Sequence, residues 1–273
     1  MLNAQFETKI AAFRVLHAHG SVLLNNAWDV MSARLAESVG SKAIVTTSAG
    51  VSWSLGFPDG HSAPRKLVMQ NAAAIAESTR LPVSVDVENG LLNPGESMLD
   101  LVHDLISAGI VGINIEDVAN GVSLHIEEGA ERLRNLRDAA SSENFNLFLN
   151  ARIDAYLRGE TTDPNTLIKR ANAYLAVGAD CIFIPGITDL AICRQIASSI
   201  SGPLNIMALP QGPSAKELFE VGVTRVSAGS FLAESAYGHV LSQMRKFQEN
   251  GRLSVDVATH LGYAQANAVM GNA

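Results

Sequence analysis

The stretch Pro82-Val83-Ser84-Val85-Asp86-Val87-Glu88-Asn89-Gly90 decides the fold. It is a short β-rich run that opens at a proline and closes on acids, an asparagine and a glycine, which reads as a buried strand stopping at a polar turn. The pattern recurs along the chain. Strands are expected at Val22–Asn26, Ala43–Thr46, Pro82–Val87, Gly112–Ile115, Leu147–Ala151, Cys181–Ile184, Leu204–Met207 and Val223–Val226, each followed by a helical stretch. Strands alternating with helices form a parallel sheet with helical crossovers, and about eight units close into a barrel. The expectation is an α/β protein, a (β/α)8 TIM-type barrel, with residues 1–273 as a single domain.

Helix punctuation supports the spacing. Asn93-Pro94-Gly95-Glu96 offers a cap, a first-turn proline and an early acid before Met98–Ser107, and Asp163-Pro164 does the same before Leu167–Val177. Gly109 and Gly178 stand where helix ends favour a left-handed residue, and Pro213-Ser214 opens a short helix to Glu220. After Ala228-Gly229-Ser230 a long helix is expected to about Glu249, then a further helical segment, Val255–Val269. These extra C-terminal helices need a surface to pack on, which points to a homo-oligomer.

With 273 residues, 47% of them hydrophobic, the chain can bury one sizeable core. The formal net charge of -7 comes from 20 Lys+Arg and 27 Asp+Glu spread along the sequence, so no basic stripe recommends a nucleic-acid partner. Charges interrupt Met1–Gly20, which lacks the continuous apolar core of a signal peptide, and no apolar run reaches the ~18 residues of a membrane span. Two cysteines, Cys181 and Cys193, are too few for a disulfide framework. A cytoplasmic protein without membrane or nucleic-acid partners is expected.

In such barrels chemistry gathers at the C-terminal ends of the strands. The third strand delivers Asp86 and Glu88, two positions apart and so on one face, and the fourth delivers Glu116 and Asp117. Carboxylates this close repel unless a cation lies among them, and Mg2+ prefers hard oxygen ligands while keeping several waters. The alternative for any one acid is a helix cap or an arginine pair. Arg152, ending the fifth strand, offers a planar fork to a substrate carboxylate, or else a structural pair with Asp154 or Glu116. Thr47-Ser48-Ala49-Gly50 is a loop of small residues whose N–H groups can approach an anionic oxygen. Asp59 returns the chain to the same mouth or serves as a turn residue, and His61 and His125 read as helix-start or solvent residues. None of the strand ends offers a lysine, which argues against a Schiff-base aldolase.

The ordered set Thr47-Ser48-Ala49-Gly50, Gly56-Phe57-Pro58-Asp59, Asp86-Val87-Glu88, Ile115-Glu116-Asp117 and Asn150-Ala151-Arg152-Ile153-Asp154 resembles the isocitrate lyase and phosphoenolpyruvate mutase superfamily. So do Ile184-Pro185-Gly186, Asn205-Ile206-Met207 and Arg225-Val226-Ser227-Ala228-Gly229, as in its short bacterial members. The resemblance covers nearly the whole chain. It implies a barrel whose last helix is often swapped onto a neighbouring subunit, and Mg2+-assisted chemistry on 2-oxo acids, with Mn2+ as a substitute. By resemblance, Asp86 is the principal metal ligand, and Asp59, Glu88 and Glu116 hold the metal's waters. Thr47, Ser48, Ala49 and Gly50 receive the oxo-acid, Arg152 anchors it and polarises the reacting group, and Asn205 lines the pocket. Arg152, Glu116 and Asp59 are the expected catalytic set.

Two departures narrow the activity. The loop after the fourth strand, Asp117 to His125, has neither the Lys and Cys of the isocitrate lyases nor the Lys that the mutases pair with an Asn, although Asn120 is present. Glu88 stands where the family usually has Asp. Decarboxylation needs enolate stabilisation and no thiol, so this loop tolerates it better than retro-aldol cleavage. The expected enzyme is a Mg2+-dependent lyase for a small 2-oxo or 2-hydroxy (di)carboxylic acid, acting through an enolate. C–P chemistry of the phosphonomutase or phosphonopyruvate hydrolase kind, and a catalytically reduced oxo-acid-binding barrel, are the alternatives. Val118–Leu124 is the expected lid.

Overall fold

The computed structural model describes residues 4–18, 20–119, 121–253 and 260–271. Its strands are β1 (Val22–Leu24), β2 (Asn26–Ala27), β3 (Ile44–Thr46), β4 (Val83–Asp86), β5 (Gly112–Glu116), β6 (Val118–Ala119), β7 (Val122–Ser123), β8 (Phe148–Arg152), β9 (Cys181–Phe183), β10 (Leu204–Met207) and β11 (Arg225–Ser227). Nine of them form a parallel sheet in the order β1-β11-β10-β9-β8-β5-β4-β3-β2. β1 and β2 are one extended stretch broken at Asn25: the first half pairs with β11 and the second with β3. That stretch closes the ring, giving the eight-unit TIM-type barrel expected. β6 and β7 form a small antiparallel hairpin over the segment read as a lid.

The helices are α1 (Ala4–Ala18), α2 (Val30–Ser38), α3 (Ser48–Ser54), α4 (Arg65–Ser78), α5 (Met98–Ser107), α6 (Ile126–Ser142), α7 (Pro164–Ala176), α8 (Leu190–Ser199), α9 (Ala215–Glu220), α10 (Phe231–Asn250) and α11 (Tyr263–Gly271). Local chemistry sets their ends. α5 starts as expected, but its cap is Ser97, whose hydroxyl accepts from the Asp100 N–H while the Asp100 carboxylate accepts from the Ser97 N–H. Asn93 and Glu96 instead close the preceding turn, Glu96 accepting from the Asn93 N–H. Gly109 and Gly178 adopt φ of +70° and +103°, as the helix-end reading requires. α10 and α11 supply the expected C-terminal surplus, but the segment read as a helix over Val255–Val269 is helical only from Tyr263, residues 260–262 being irregular, and its first part lies outside the described residues.

Outward-facing strand residues such as Val83, Val85, Ile113 and Ile115 are buried beneath the helices. The barrel interior is more polar, with Ser84, Asn114, Asn150, Asn205 and Arg225 all buried. At the N-terminal end α1 closes the barrel: the Phe13 ring lies 5.0 Å from Phe148, edge to face, beside His17. Gly112 makes room for this plug, because a Cβ there would lie 3.0 Å from the Phe148 Cβ and 3.1 Å from the Phe13 ring. Asp86, Glu116 and Arg152 end their strands at the opposite, C-terminal mouth.

Candidate active site

Strand register brings the acids together. Asp86 pairs with Asn114 and Asn114 with Asn150, while one step further along Glu116 stands beside Arg152. Asp86, Glu88 and Glu116 are all buried. The expected shared face of Asp86 and Glu88 needs correction, since β4 ends at Asp86 and Glu88 turns away from strand geometry with φ +51°. The Glu88 main chain ties the residues together instead: its N–H donates to Asp86 Oδ1 at 3.0 Å, and its carbonyl accepts from the Glu116 N–H at 2.8 Å. A left-handed non-glycine residue costs on the order of 1–3 kcal/mol, and such strain concentrates at functional sites.

His61 is the residue that the sequence reading undervalued. Its Nδ1 lies 2.8 Å from Glu88 Oε2 and its Nε2 lies 2.9 Å from Glu116 Oε1. Its backbone N–H also donates to Glu88. Like Glu88 it has a positive φ, +62°. Hydrogen bonds to Glu116 and Glu88 push the imidazole pKa up to about 10. The clue in the sequence was a histidine two residues past Asp59, but no local rule links it to acids on two distant strands.

Arg152 forms the structural pair offered as one of its two readings. Nε and Nη2 grip the Asp154 carboxylate at 2.6 and 3.0 Å, while Nη1 lies 3.8 Å from Asp86 and Nη2 lies 3.8 Å from Glu116. Burial opposes its charge, yet Asp154 and Asp86 hold its pKa above the ordinary value. Burial pushes the Asp86 carboxyl up to about 7 despite Arg152. Glu116 is also penalised by burial, but His61 and Arg152 bring its pKa below the usual carboxylate value. Asp59 is raised by burial and by Glu88, while hydrogen bonds from Gly60 and Ser48 oppose the rise.

Other expected residues divide. The expected loop is corrected to a helix start, because Thr47 is the N-cap of α3 and Ser48, Ala49 and Gly50 form its first turn; Ser48 there reaches Asp59. Gly50 has a packing reason: a Cβ there would lie 2.8 Å from the Trp28 Cβ and 2.9 Å from Thr47 Cγ2. Asn205 is fully buried, and its Nδ2 has no hydrogen-bond partner among the described residues. Asp117 does not join the acid cluster: its carboxylate accepts from Tyr174 Oη at 2.8 Å and Arg170 Nη1 at 2.9 Å. His125 precedes α6, its N–H donating to Glu128 at 3.1 Å. Cys181 and Cys193 are buried free thiols, and Asn120 lies outside the described residues.

Among the described residues no three His, Cys, Asp or Glu side chains converge as a ready-made cage for an ion. The donor set still suits Mg2+, because that ion takes one or two carboxylates and keeps several waters. Buried Asp86, with Glu88, Glu116 and the more exposed Asp59 around it, supplies oxygen donors and negative charge in excess of Arg152 and His61.

The sequence pattern of a family described as phosphoenolpyruvate phosphomutase matches residues 13–248. The chain belongs to this family. Its relatives include an uncharacterized protein of Mycobacterium tuberculosis H37Rv, 38% identical over 220 residues that cover 80% of this chain and 82% of that protein. The 2-methylisocitrate lyase of Escherichia coli K12 is 32% identical over 182 residues, 63% of this chain and 60% of the lyase. A solved structure from Burkholderia cenocepacia J2315, provisionally called a lyase/mutase, superposes with a TM-score of 0.87 at 32% identity, covering 97% of this chain and 96% of that one. This phosphoenolpyruvate phosphomutase family member is an enzyme of the isocitrate lyase and phosphoenolpyruvate mutase superfamily, with a lyase among its relatives. Among the described residues no helix is long and apolar enough to cross a membrane.

Proposed function

We propose that this protein is a Mg2+-dependent lyase acting on a small 2-oxo or 2-hydroxy dicarboxylic acid through an enolate, by C–C cleavage or decarboxylation. The convergence of Asp86, Glu88 and Glu116 beside Arg152 at the barrel mouth carries the reading. Asp86 would hold the ion directly, and Asp59, Glu88 and Glu116 would hold it through its waters. When bound, the ion supplies Lewis-acid stabilisation of an oxyanion.

The chain's own residues supply position and charge. Asp154 fixes the Arg152 fork by two contacts, so the guanidinium meets a substrate carboxylate or enolate oxygen without first losing its own freedom. Phe183, with its ring centroid 5.8 Å from the guanidinium carbon, covers that fork on one side. The unpartnered Asn205 Nδ2 is a buried donor for a substrate or water oxygen, and the Thr47–Gly50 segment borders the acids. The segment from Val118 to Leu124 contains no Lys or Cys, which favours decarboxylation over cleavage requiring a proton-transfer partner.

On this reading residues 1–273 act as one catalytic unit in the cytoplasm, with a small oxo-acid as substrate. They work as a homo-oligomer, because α10 leaves Tyr237, Val240, Leu241, Met244 and Phe247 exposed. Calorimetry with oxalate, an enolpyruvate mimic, tests the site. Binding should require both Mg2+ and Asp86, so that Asp86→Ala loses it; oxalate binding by neither protein, with or without Mg2+, would sink the metal-enolate reading.

A further inference from the structure

We propose that His61 is an internal occupant of the acid site which a divalent cation must displace, so that His61 sets metal affinity and couples metal arrival to movement of the segment around it. The inference rests on the metal reading above and concerns a residue to which that reading gives no part. Both ring nitrogens are spent on carboxylates, one on Glu88 and one on Glu116, at 2.8 and 2.9 Å. With both nitrogens so engaged the ring has no free lone pair for a metal, and it occupies Glu88 Oε2 and Glu116 Oε1, two of the oxygens that the metal's waters would use. Ring and hydrated cation are therefore competitors for the same oxygens.

The two sides of this contact are unequally anchored. Glu88 and Glu116 are buried, and their backbones are tied together by the bond from the Glu116 N–H to the Glu88 carbonyl. Arg132 holds Glu116 further, its Nη1 donating to the Glu116 carbonyl at 3.0 Å. The His61 side chain is 30% exposed and directly follows Gly60, which like Gly56 is left-handed and, among the described residues, has open space where a Cβ would stand. When the contact breaks, the acids stay and the histidine moves. Displacement leaves the barrel core untouched, since Gly60, His61 and Ser62 are exposed residues. Until a cation arrives the ring offsets the repulsion among buried carboxylates that would otherwise face one another unneutralised.

The test titrates Mg2+ and, separately, Mn2+ into the full chain and into His61→Asn and His61→Gly, residues that tolerate the left-handed backbone. Thermal melts confirm that each variant is folded, and either folded variant suffices for the comparison. Both cations should bind the variants about tenfold more tightly, a difference of about 1.4 kcal/mol. Hydrogen exchange at residues 60–63 of the unaltered protein should accelerate on adding Mg2+. Equal affinity in all three proteins overturns the displacement proposal and leaves the metal reading standing. Weaker affinity in the variants overturns it by making His61 a support of the ion. Absence of Mg2+ and Mn2+ binding from all three would remove both proposals together.

Discussion

His17 is held neutral by what its two nitrogens face. Nδ1 lies 2.8 Å from the Phe13 carbonyl, which can only accept, so Nδ1 carries the proton and Nε2 presents its lone pair to Arg225 Nη1 at 3.4 Å. Burial and then the Arg225 charge push its pKa down to about 3 from 6.5. The unfolded chain therefore binds more protons between those values, and stability is lost as pH falls from about 6.5 toward about 3. By pH 4.5 the loss from this group alone should be about 2–3 kcal/mol. Urea denaturation across pH 7 to 4.5 should show a flatter slope for His17→Leu than for the unaltered protein; parallel slopes would mean that His17 does not titrate there.

At the scale of elements, α6 and α7 meet through a glycine. A Cβ on Gly129 would stand 2.3 Å from the Tyr174 hydroxyl, the group that donates to Asp117. Helix propensity favours alanine over glycine by about 0.8–1.0 kcal/mol, but overpacking a close contact costs about 1–3 kcal/mol. The clash should win. Gly129→Ala should lose about 1–2 kcal/mol in urea denaturation, and a stabilised variant would show that Tyr174 gives way freely. The consequence reaches the mouth, because Asp117 also accepts from Arg170, which donates to the Leu124 carbonyl at the end of the β6–β7 hairpin. Packing between two outer helices thus sets the base of the segment beside the acids.

For the whole molecule the open question of packing lies on α10. Tyr237, Val240, Leu241 and Met244 follow the spacing of one helical face, yet Ala233 is the buried residue recorded for that helix. α11 packs back on α2, where the Val269 carbonyl accepts from Arg34 Nε and Nη2 at 3.1 and 3.0 Å. The proposed homo-oligomer would cover the α10 stripe. Sedimentation should find the unaltered protein larger than a monomer and Leu241→Asp with Met244→Asp shifted to monomer; a monomeric unaltered protein would refute that assembly.

The barrel, its order of units and the identity of most candidate acids were legible in the sequence, because alternating apolar runs and helix-end signals are local and repeat every unit. Leu204–Met207 and Met98–Ser107 fall where the pattern puts them. Asp86, Glu116 and Arg152 were found for the same reason: each ends a strand, and strand ends in a parallel barrel share one mouth. What each side chain does there was decided by tertiary contact. Glu88 reaches Asp86 through a left-handed turn rather than strand alternation, and Asp117 faces two helices instead of the acids. Gly50 faces Trp28, and His61 spans Glu88 and Glu116 from another loop. Periodicity assigns a residue to an element and a face, whereas a charge finds its partner through positions far apart in the chain that meet only when the ring closes.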